Sequence, residues 1–185
     1  MNEIPVELKD KVEKWRSFRR QHPDHIEIPG PGQESVWDYP RPPRVEVVAS
    51  CIRVEFAGVV LAESGRAYRV LETAGPPVYY LPQNDIQMQY LQTSPHTSLC
   101  EWKGIGKYWS VQVGERRAVN AAWGYPLPWA GYEVIQDCLA FYAGLMDACY
   151  VGEQRALPQP GHYYGGWITP DIVGPFKGGP GTESW

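Results

Sequence analysis

Ile52-Arg53-Val54-Glu55-Phe56-Ala57-Gly58-Val59-Val60-Leu61 is the stretch that decides the class of fold. Ile52, Val54 and Phe56 alternate with Cys51, Arg53 and Glu55, the period of two that a half-buried strand requires. Ala57-Gly58 breaks the run as a tight turn, and Val59-Val60-Leu61 resumes it, so the stretch reads as a hairpin. The same period begins at Arg44 and recurs downstream. Tyr68 to Glu72 is a strand; Gly75-Pro76-Pro77 is a break before the strand Val78-Tyr79-Tyr80-Leu81. Pro82 to Ile86 makes one helical turn. Trp109, Val111 and Val113 alternate with Tyr108, Ser110 and Gln112, then Gly114-Glu115 turns the chain into Ala118 to Trp123. Leu139 to Tyr142 and Ala148 to Val151 complete the set, with Gly152-Glu153 as the next turn.

The flanks read differently. From Pro5 to about Arg20, Leu8, Val12, Trp15 and Phe18 or Arg19 recur on one face, the spacing of an amphipathic helix that His22-Pro23 stops. Its narrow apolar stripe requires a docking surface, on the main domain or on a second copy of the chain. Residues 22–44 are an extended connector rich in Pro and Gly, and residues 158–185 are too dense in both for long regular elements. The expected architecture is mainly β. Residues 1–35 form the helix and connector, and residues 36–185 form one domain ending in the irregular tail 158–185.

Composition excludes several classes of function. The 185 residues are 43% hydrophobic and 21% charged, ordinary for one globular domain. A formal net charge of −4 supplies no electrostatic reason to bind nucleic acid or an anionic membrane. The start of the chain lacks an apolar leader core, no apolar run spans a bilayer, and Cys51, Cys100, Cys138 and Cys149 form no C-x-x-C pair. A cytoplasmic protein with reduced thiols and no bound metal is expected. Eight Trp and 12 Tyr against 4 Phe favour rings with a polar tip, which suit the wall of a cavity.

The densest chemistry lies in His96-Thr97-Ser98-Leu99-Cys100-Glu101-Trp102-Lys103-Gly104-Ile105-Gly106-Lys107-Tyr108-Trp109. Its first half shows no period, so it reads as a loop delivered onto the strand that starts near Gly106. His96 and Cys100 would suit a thiolate–imidazole pair, with Lys103 and Lys107 as positive neighbours; a buried thiol and a hydrogen-bonding loop histidine would suit the pattern equally. Lys103-Gly104-Ile105-Gly106-Lys107 lacks the order of a P-loop, and so does Phe176-Lys177-Gly178-Gly179-Pro180-Gly181-Thr182, which as a docked tail needs no ligand. No G-x-S-x-G, H-E-x-x-H or close carboxylate pair is present.

Several stretches together resemble one family. Val36-Trp37-Asp38-Tyr39-Pro40-Arg41-Pro42-Pro43, Val70-Leu71-Glu72-Thr73, Pro76 to Pro82, His96 to Gly104, Ala121-Ala122-Trp123-Gly124-Tyr125-Pro126 and Ala140-Phe141-Tyr142 are similar to motifs of the domain-of-unknown-function 427 family. The tail from Tyr164 to Thr182 resembles a longer variant of it. The resemblance implies a β-tent, two antiparallel sheets leaning together, as in the cereblon ligand-binding domain and methionine-sulfoxide reductase B. Those relatives hold a structural zinc through paired C-x-x-C knuckles, which this chain lacks. The family also carries a nucleotidyltransferase-like label, yet the chain shows no Asp-x-Asp pair.

The functional expectation is a small polar or planar molecule held between the sheets. Tyr80, Trp102, Tyr108 and Trp123 would form the aromatic wall, and Glu72, His96 and Lys103 the polar anchors. An enzyme acting through Cys100 or His96, and an adaptor gripping a partner or a second copy through the helix and tail, are the alternatives. No cofactor is expected.

Overall fold

The computed structural model describes residues 3–185. A 3-10 turn at Val6–Leu8 runs into one α-helix, α1 (Lys9–Ser17), and everything after it is strand, short 3-10 turn or irregular chain. The strands are β1 (Glu34–Ser35), β2 (Arg44–Val47), β3 (Ile52–Phe56), β4 (Val59–Ser64), β5 (Tyr68–Glu72), β6 (Gly75–Pro82), β7 (Leu91–Cys100), β8 (Gly104–Val113), β9 (Arg116–Gly124), β10 (Cys138–Phe141), β11 (Ala148–Val151), β12 (Gln154–Arg155), β13 (Leu157–Pro158), β14 (Trp167–Ile168) and β15 (Ile172–Val173).

Two antiparallel sheets make the body. Seven strands run in the order β2-β5-β6-β10-β9-β8-β7, and four in the order β12-β11-β3-β4. The hairpin that opened the sequence reading is the β3–β4 unit of the smaller sheet. Ala57 and Gly58 both take positive φ, 51° and 76°, the geometry that matches a two-residue turn to the twist of its strands. Ala57 is held there by its N–H, which donates to Asp147 Oδ2 at 2.7 Å.

The inner faces of the two sheets close on one core. Ile52, Val54, Phe56 and Leu61 from the smaller sheet meet Tyr79, Leu81, Val111, Ala122, Leu139 and Phe141 from the larger, with Trp167 of β14 inserted among them. Trp167 is fully buried, and its indole N–H donates to the Phe141 carbonyl at 2.8 Å. Because side chains alternate along a strand, the residues between these point to the opposite face of the larger sheet. There Val70, Tyr80, Tyr108, Trp123 and Ala140 build a second cluster. A sheet with only one buried face would place polar residues there; this one carries aromatics because other parts of the chain cover them.

Three elements depart from the expectations of sequence. The helix stops at Ser17, short of Arg20: Phe18 takes extended backbone (φ −58°, ψ 120°), and Gln21 donates its N–H to the Ser184 carbonyl at 2.8 Å, tying this segment to the tail. Gly75-Pro76-Pro77 is the start of β6, not a break. The prolines lie where the register with β5 shifts between Val70 and Glu72, so the ladder loses no donor there. The largest departure is His96 to Cys100, which is strand β7 and not a loop. It pairs with β8 through Thr97↔Lys107, Ser98↔Gly106, Leu99↔Ile105 and Cys100↔Gly104. β7 is the edge of the seven-stranded sheet, and a bulge between Ser94 and Thr97 takes up Pro95, which erases the alternation a central strand would show.

The connector and the tail also find each other. β1 pairs in parallel with β15, Glu34↔Ile172 and Ser35↔Val173. Val36, Trp37, Tyr39, Leu71, Ala74 and Ile172 form a small third cluster beneath that pairing. Among the described residues no helix is long and apolar enough to cross a membrane.

Candidate functional site

The outer aromatic face of the large sheet is the floor of a chamber of about 130 Å³. Alternation puts the floor residues there. Val70 and Glu72 of β5, Val78 and Tyr80 of β6, Tyr108 of β8 and Trp123 of β9 point the same way. Tyr80 meets Trp123 edge-on at 6.4 Å between centroids, and Trp123 lies 4.4 Å from Tyr142. The space expected between the two sheets is instead filled by the main core, so the chamber lies on the opposite side of the larger sheet.

The tail is the roof. Gly165 lies directly over Trp123; a Cβ on Gly165 would stand 2.2 Å from the indole Cη2, so only glycine lets the backbone approach so closely. Gln159, buried, fastens the roof by two side-chain bonds. Its amide donates to the Lys177 carbonyl at 2.8 Å, and its Oε1 accepts from the Gly166 N–H at 3.0 Å. Tyr142 Oη donates to the Tyr163 carbonyl at 3.1 Å, tying floor to roof on the open side.

The turn between β7 and β8 forms the end wall and buries a lysine. Glu101-Trp102-Lys103 is followed by Gly104 at φ +102°, a conformation that favours glycine. The turn folds Lys103 inward, only 7% exposed, and its carbonyl accepts from the Trp129 N–H at 3.2 Å. Its Nζ faces the rings of Tyr125 and Tyr132 at 5.8 and 6.0 Å. Lys177, 4% exposed, enters from the roof with Nζ 4.6 Å from the Tyr164 ring centroid.

Charge inside the chamber is uneven. Arg41 and Glu101 are paired at 3.0 Å, with Arg41 also donating to the Trp15 carbonyl at 2.9 Å. Arg20 reaches Glu72 at a long 3.5 Å and also donates to the Trp185 carbonyl. Burial raises the Glu72 carboxyl, but the neighbouring charges of Lys177, Lys103, Arg20 and Arg41 outweigh it and hold the group below the usual carboxylate range. Burial pulls Lys177 down to about 8, against the attraction of Glu72, with Arg20 adding repulsion. Burial also lowers Lys103, yet the potentials of Cys100, Tyr80, Glu72 and Tyr132 more than offset it and keep it above the usual lysine range. Burial pushes the phenols of Tyr80, Tyr125 and Tyr142 up, so at neutral pH they are donors and acceptors, not anions.

The structure brings together Glu72, Tyr80, Lys103, Tyr108 and Trp123 of the expected site, with Cys100 beside them. Trp102 and His96 do not line that chamber. Trp102, 9% exposed, packs in the same buried cluster as Tyr80, Tyr108 and Trp123 without lining the chamber, and the guanidinium carbons of Arg16 and Arg41 stand 5.0 and 5.4 Å from its ring. His96 is exposed on β7 with its ring edge-on to Tyr108 at 4.5 Å, and borders an outer cleft lined also by Asn120, Leu145 and Tyr163. A loop would have let His96 and Cys100 meet; on a strand, four residues separate them by roughly 10–13 Å, so no thiolate–imidazole pair forms. Sequence reading also missed Tyr142, Tyr163, Tyr164, Gln159 and Lys177. Tyr142 and Tyr164 lie in the family-like stretches without a role assigned to them, and Lys177 carried a signal as a cation set before a run of glycines.

Among the described residues no three His, Cys, Asp or Glu side chains are grouped to hold a metal ion. Residues 44–152 match a family described as a domain of unknown function, DUF427. No curated protein matches the chain.

Proposed function

The chain belongs to the DUF427 family, and on that premise we propose that it binds a small, planar, polar molecule in the chamber under the tail. One observation carries the reading. A space of about 130 Å³ is walled by Tyr80, Tyr108, Trp123 and Tyr142 and holds the half-buried carboxylate of Glu72 and the buried ammonium of Lys103. A cavity of roughly 150 Å³ takes up benzene, so this one, slightly smaller but continuous with the outer cleft, is on the scale of a single ring. Few polar groups among many apolar walls is the arrangement that fixes a ligand's orientation. The outer cleft beside His96 shares Ser98, Tyr108, Tyr142 and Tyr164 with the chamber and supplies the way in. Residence in the cytoplasm belongs to the same proposal and is supported by four free thiols.

Native mass spectrometry of protein purified without denaturation tests this, together with thermal shift against a fragment library. Retained or library-derived small molecules should bind wild type and be lost from Val78→Trp, which fills the chamber from β6. Binding that survives Val78→Trp, or none at all in either measurement, overturns the reading.

A further inference from the structure

Lys103 and Lys177 are the two lysines of the chamber, and among the described residues neither forms a close ion pair, although both feel the field of Glu72. Arg41 has Glu101, and Arg20 has Glu72 at long range and a carbonyl of the tail. Among the described residues neither lysine has a carboxylate oxygen within 4.0 Å, and neither Nζ donates a hydrogen bond to protein. Each faces rings alone, Lys103 at Tyr125 and Tyr132, Lys177 at Tyr164. They come from separate elements, a hairpin turn and the tail, and both open into the same space.

Burying an ammonium away from water costs several kcal/mol unless it is paired and hydrogen-bonded. Two such groups in one apolar chamber repel each other as well, and Glu72 offsets only part of that charge. Ring faces attract cations but accept no conventional hydrogen bond, so no protein acceptor fills the lysines' donors. The missing partner is an acceptor with negative charge. A phosphate would usually be met by free Arg forks; the terminal nitrogens of both nearby arginines are already tied to a carboxylate and a carbonyl, leaving only each buried Nε unpartnered.

We infer that the occupant is a planar monocarboxylate of aromatic size, its carboxylate answering Lys103 and Lys177 and its ring lying against Tyr80 and Trp123. The inference rests on the small-molecule reading above and narrows it to one charge and one shape.

Calorimetric titration of the full chain tests it with benzoate and nicotinate, their uncharged amides benzamide and nicotinamide, and inorganic phosphate. At least one carboxylate should bind more tightly than its amide. Lys103→Met and Lys177→Met should each weaken that binding about ten- to a hundredfold, the scale of a charge-assisted hydrogen bond. Glu72→Gln should tighten it, because it removes the carboxylate that competes for the same cations. That opposite sign keeps the test decisive should a lysine variant fail to fold.

Amides binding as well as acids, or lysine variants binding like wild type, overturn the inference and leave the small-molecule reading standing. Phosphate binding without benzoate or nicotinate overturns it in favour of a different anion. If no probe binds, the inference falls, while the reading beneath it is judged separately by the native mass spectra.

Discussion

Tyr79 and Tyr80 are consecutive on one strand and serve opposite sides of the molecule. Tyr79 stacks at 5.1 Å on Trp167 in the core between the sheets, whereas Tyr80 meets Trp123 at 6.4 Å in the chamber. One residue of offset separates the main core from the chamber here, because the pleat has a period of two.

Substitution at the two positions should therefore part company. Tyr79→Ala removes a large buried ring and should cost about 3–5 kcal/mol of stability. Tyr80→Phe keeps the ring, should leave the denaturant midpoint within about 0.5–1.5 kcal/mol of wild type, and should change ligand affinity. Urea unfolding beside a ligand titration checks both. Equal losses of stability would contradict the two-face account.

Most of the fold could be read from alternation. The β3–β4 hairpin, β5, β9 and β11 were each visible because one face of each strand carries apolar residues against the core. β7 could not be read that way. It is an edge strand whose His96-Thr97 side chains face water and whose Pro95 sits in a bulge, so it has no apolar stripe. That one element governed the site. Once Cys100 and His96 are on a strand they are held apart, and Trp102 falls at the tip of a hairpin with its ring turned toward Arg16 and Arg41. The roof was invisible for another reason. Gln159, Tyr163 and Lys177 reach the chamber by long-range closure of an irregular tail, and irregular chain has no period to read.

Lys177 should give stability an unusual pH dependence. Its folded pKa lies near 8, below the ordinary 10.5, because burial penalises the ammonium among Arg20, Lys103, Glu72, Glu101 and Tyr164. Between about pH 8 and 10 the unfolded chain binds one more proton at this site than the folded one, so its contribution to stability rises with pH, by about 2–3 kcal/mol. Cys149 and the buried tyrosines act in the opposite direction, since burial raises their folded pKa. The difference between wild type and Lys177→Met isolates the lysine. Urea unfolding from pH 7.5 to 10 should show Lys177→Met losing its advantage over wild type as pH rises. Parallel curves would refute the assignment. Carboxylate binding should weaken over the same range as the ammonium discharges.

Gly165→Ala tests the roof. Its new methyl would meet the Trp123 ring at 2.2 Å, and the tail must lift to admit it. The expected cost is about 1–3 kcal/mol, with faster proteolysis within residues 160–166 and loss of ligand. Ala at Gly114, where nothing stands within 4 Å, is the control for a glycine change far from the chamber, although its positive φ of 56° adds local strain.

Arg41→Met should loosen the helix. Arg41 ties Glu101 at the hairpin turn to the Trp15 carbonyl in α1, and Arg16 of α1 donates to the Glu101 carbonyl at 2.8 Å. Breaking a pair this sheltered, with both side chains 16% exposed, should cost about 1–3 kcal/mol. Hydrogen exchange should speed up in residues 9–17 while the β3–β4 hairpin keeps its protection. Unchanged exchange in the helix would show that it docks by Val12 and its neighbours alone.

Cys100→Ser separates recognition from thiol chemistry. The two side chains are close in size, so carboxylate binding should stay within about threefold of wild type, a difference of about 0.6 kcal/mol. A tenfold loss would assign the sulfur a direct part in the site.

The chamber draws on two separate lengths of chain. Glu72, Tyr80, Lys103, Tyr108, Trp123 and Tyr142 fall within residues 44–152, the segment matched to the family, whereas Gln159, Tyr163, Tyr164 and Lys177 lie beyond it. A chamber assembled in this manner is modular: the sheet offers an open tray, and the strap that crosses it decides the shape of the space beneath. Exchanging residues 158–177 would re-tune selectivity while the tray, with its own packed underside, keeps its shape.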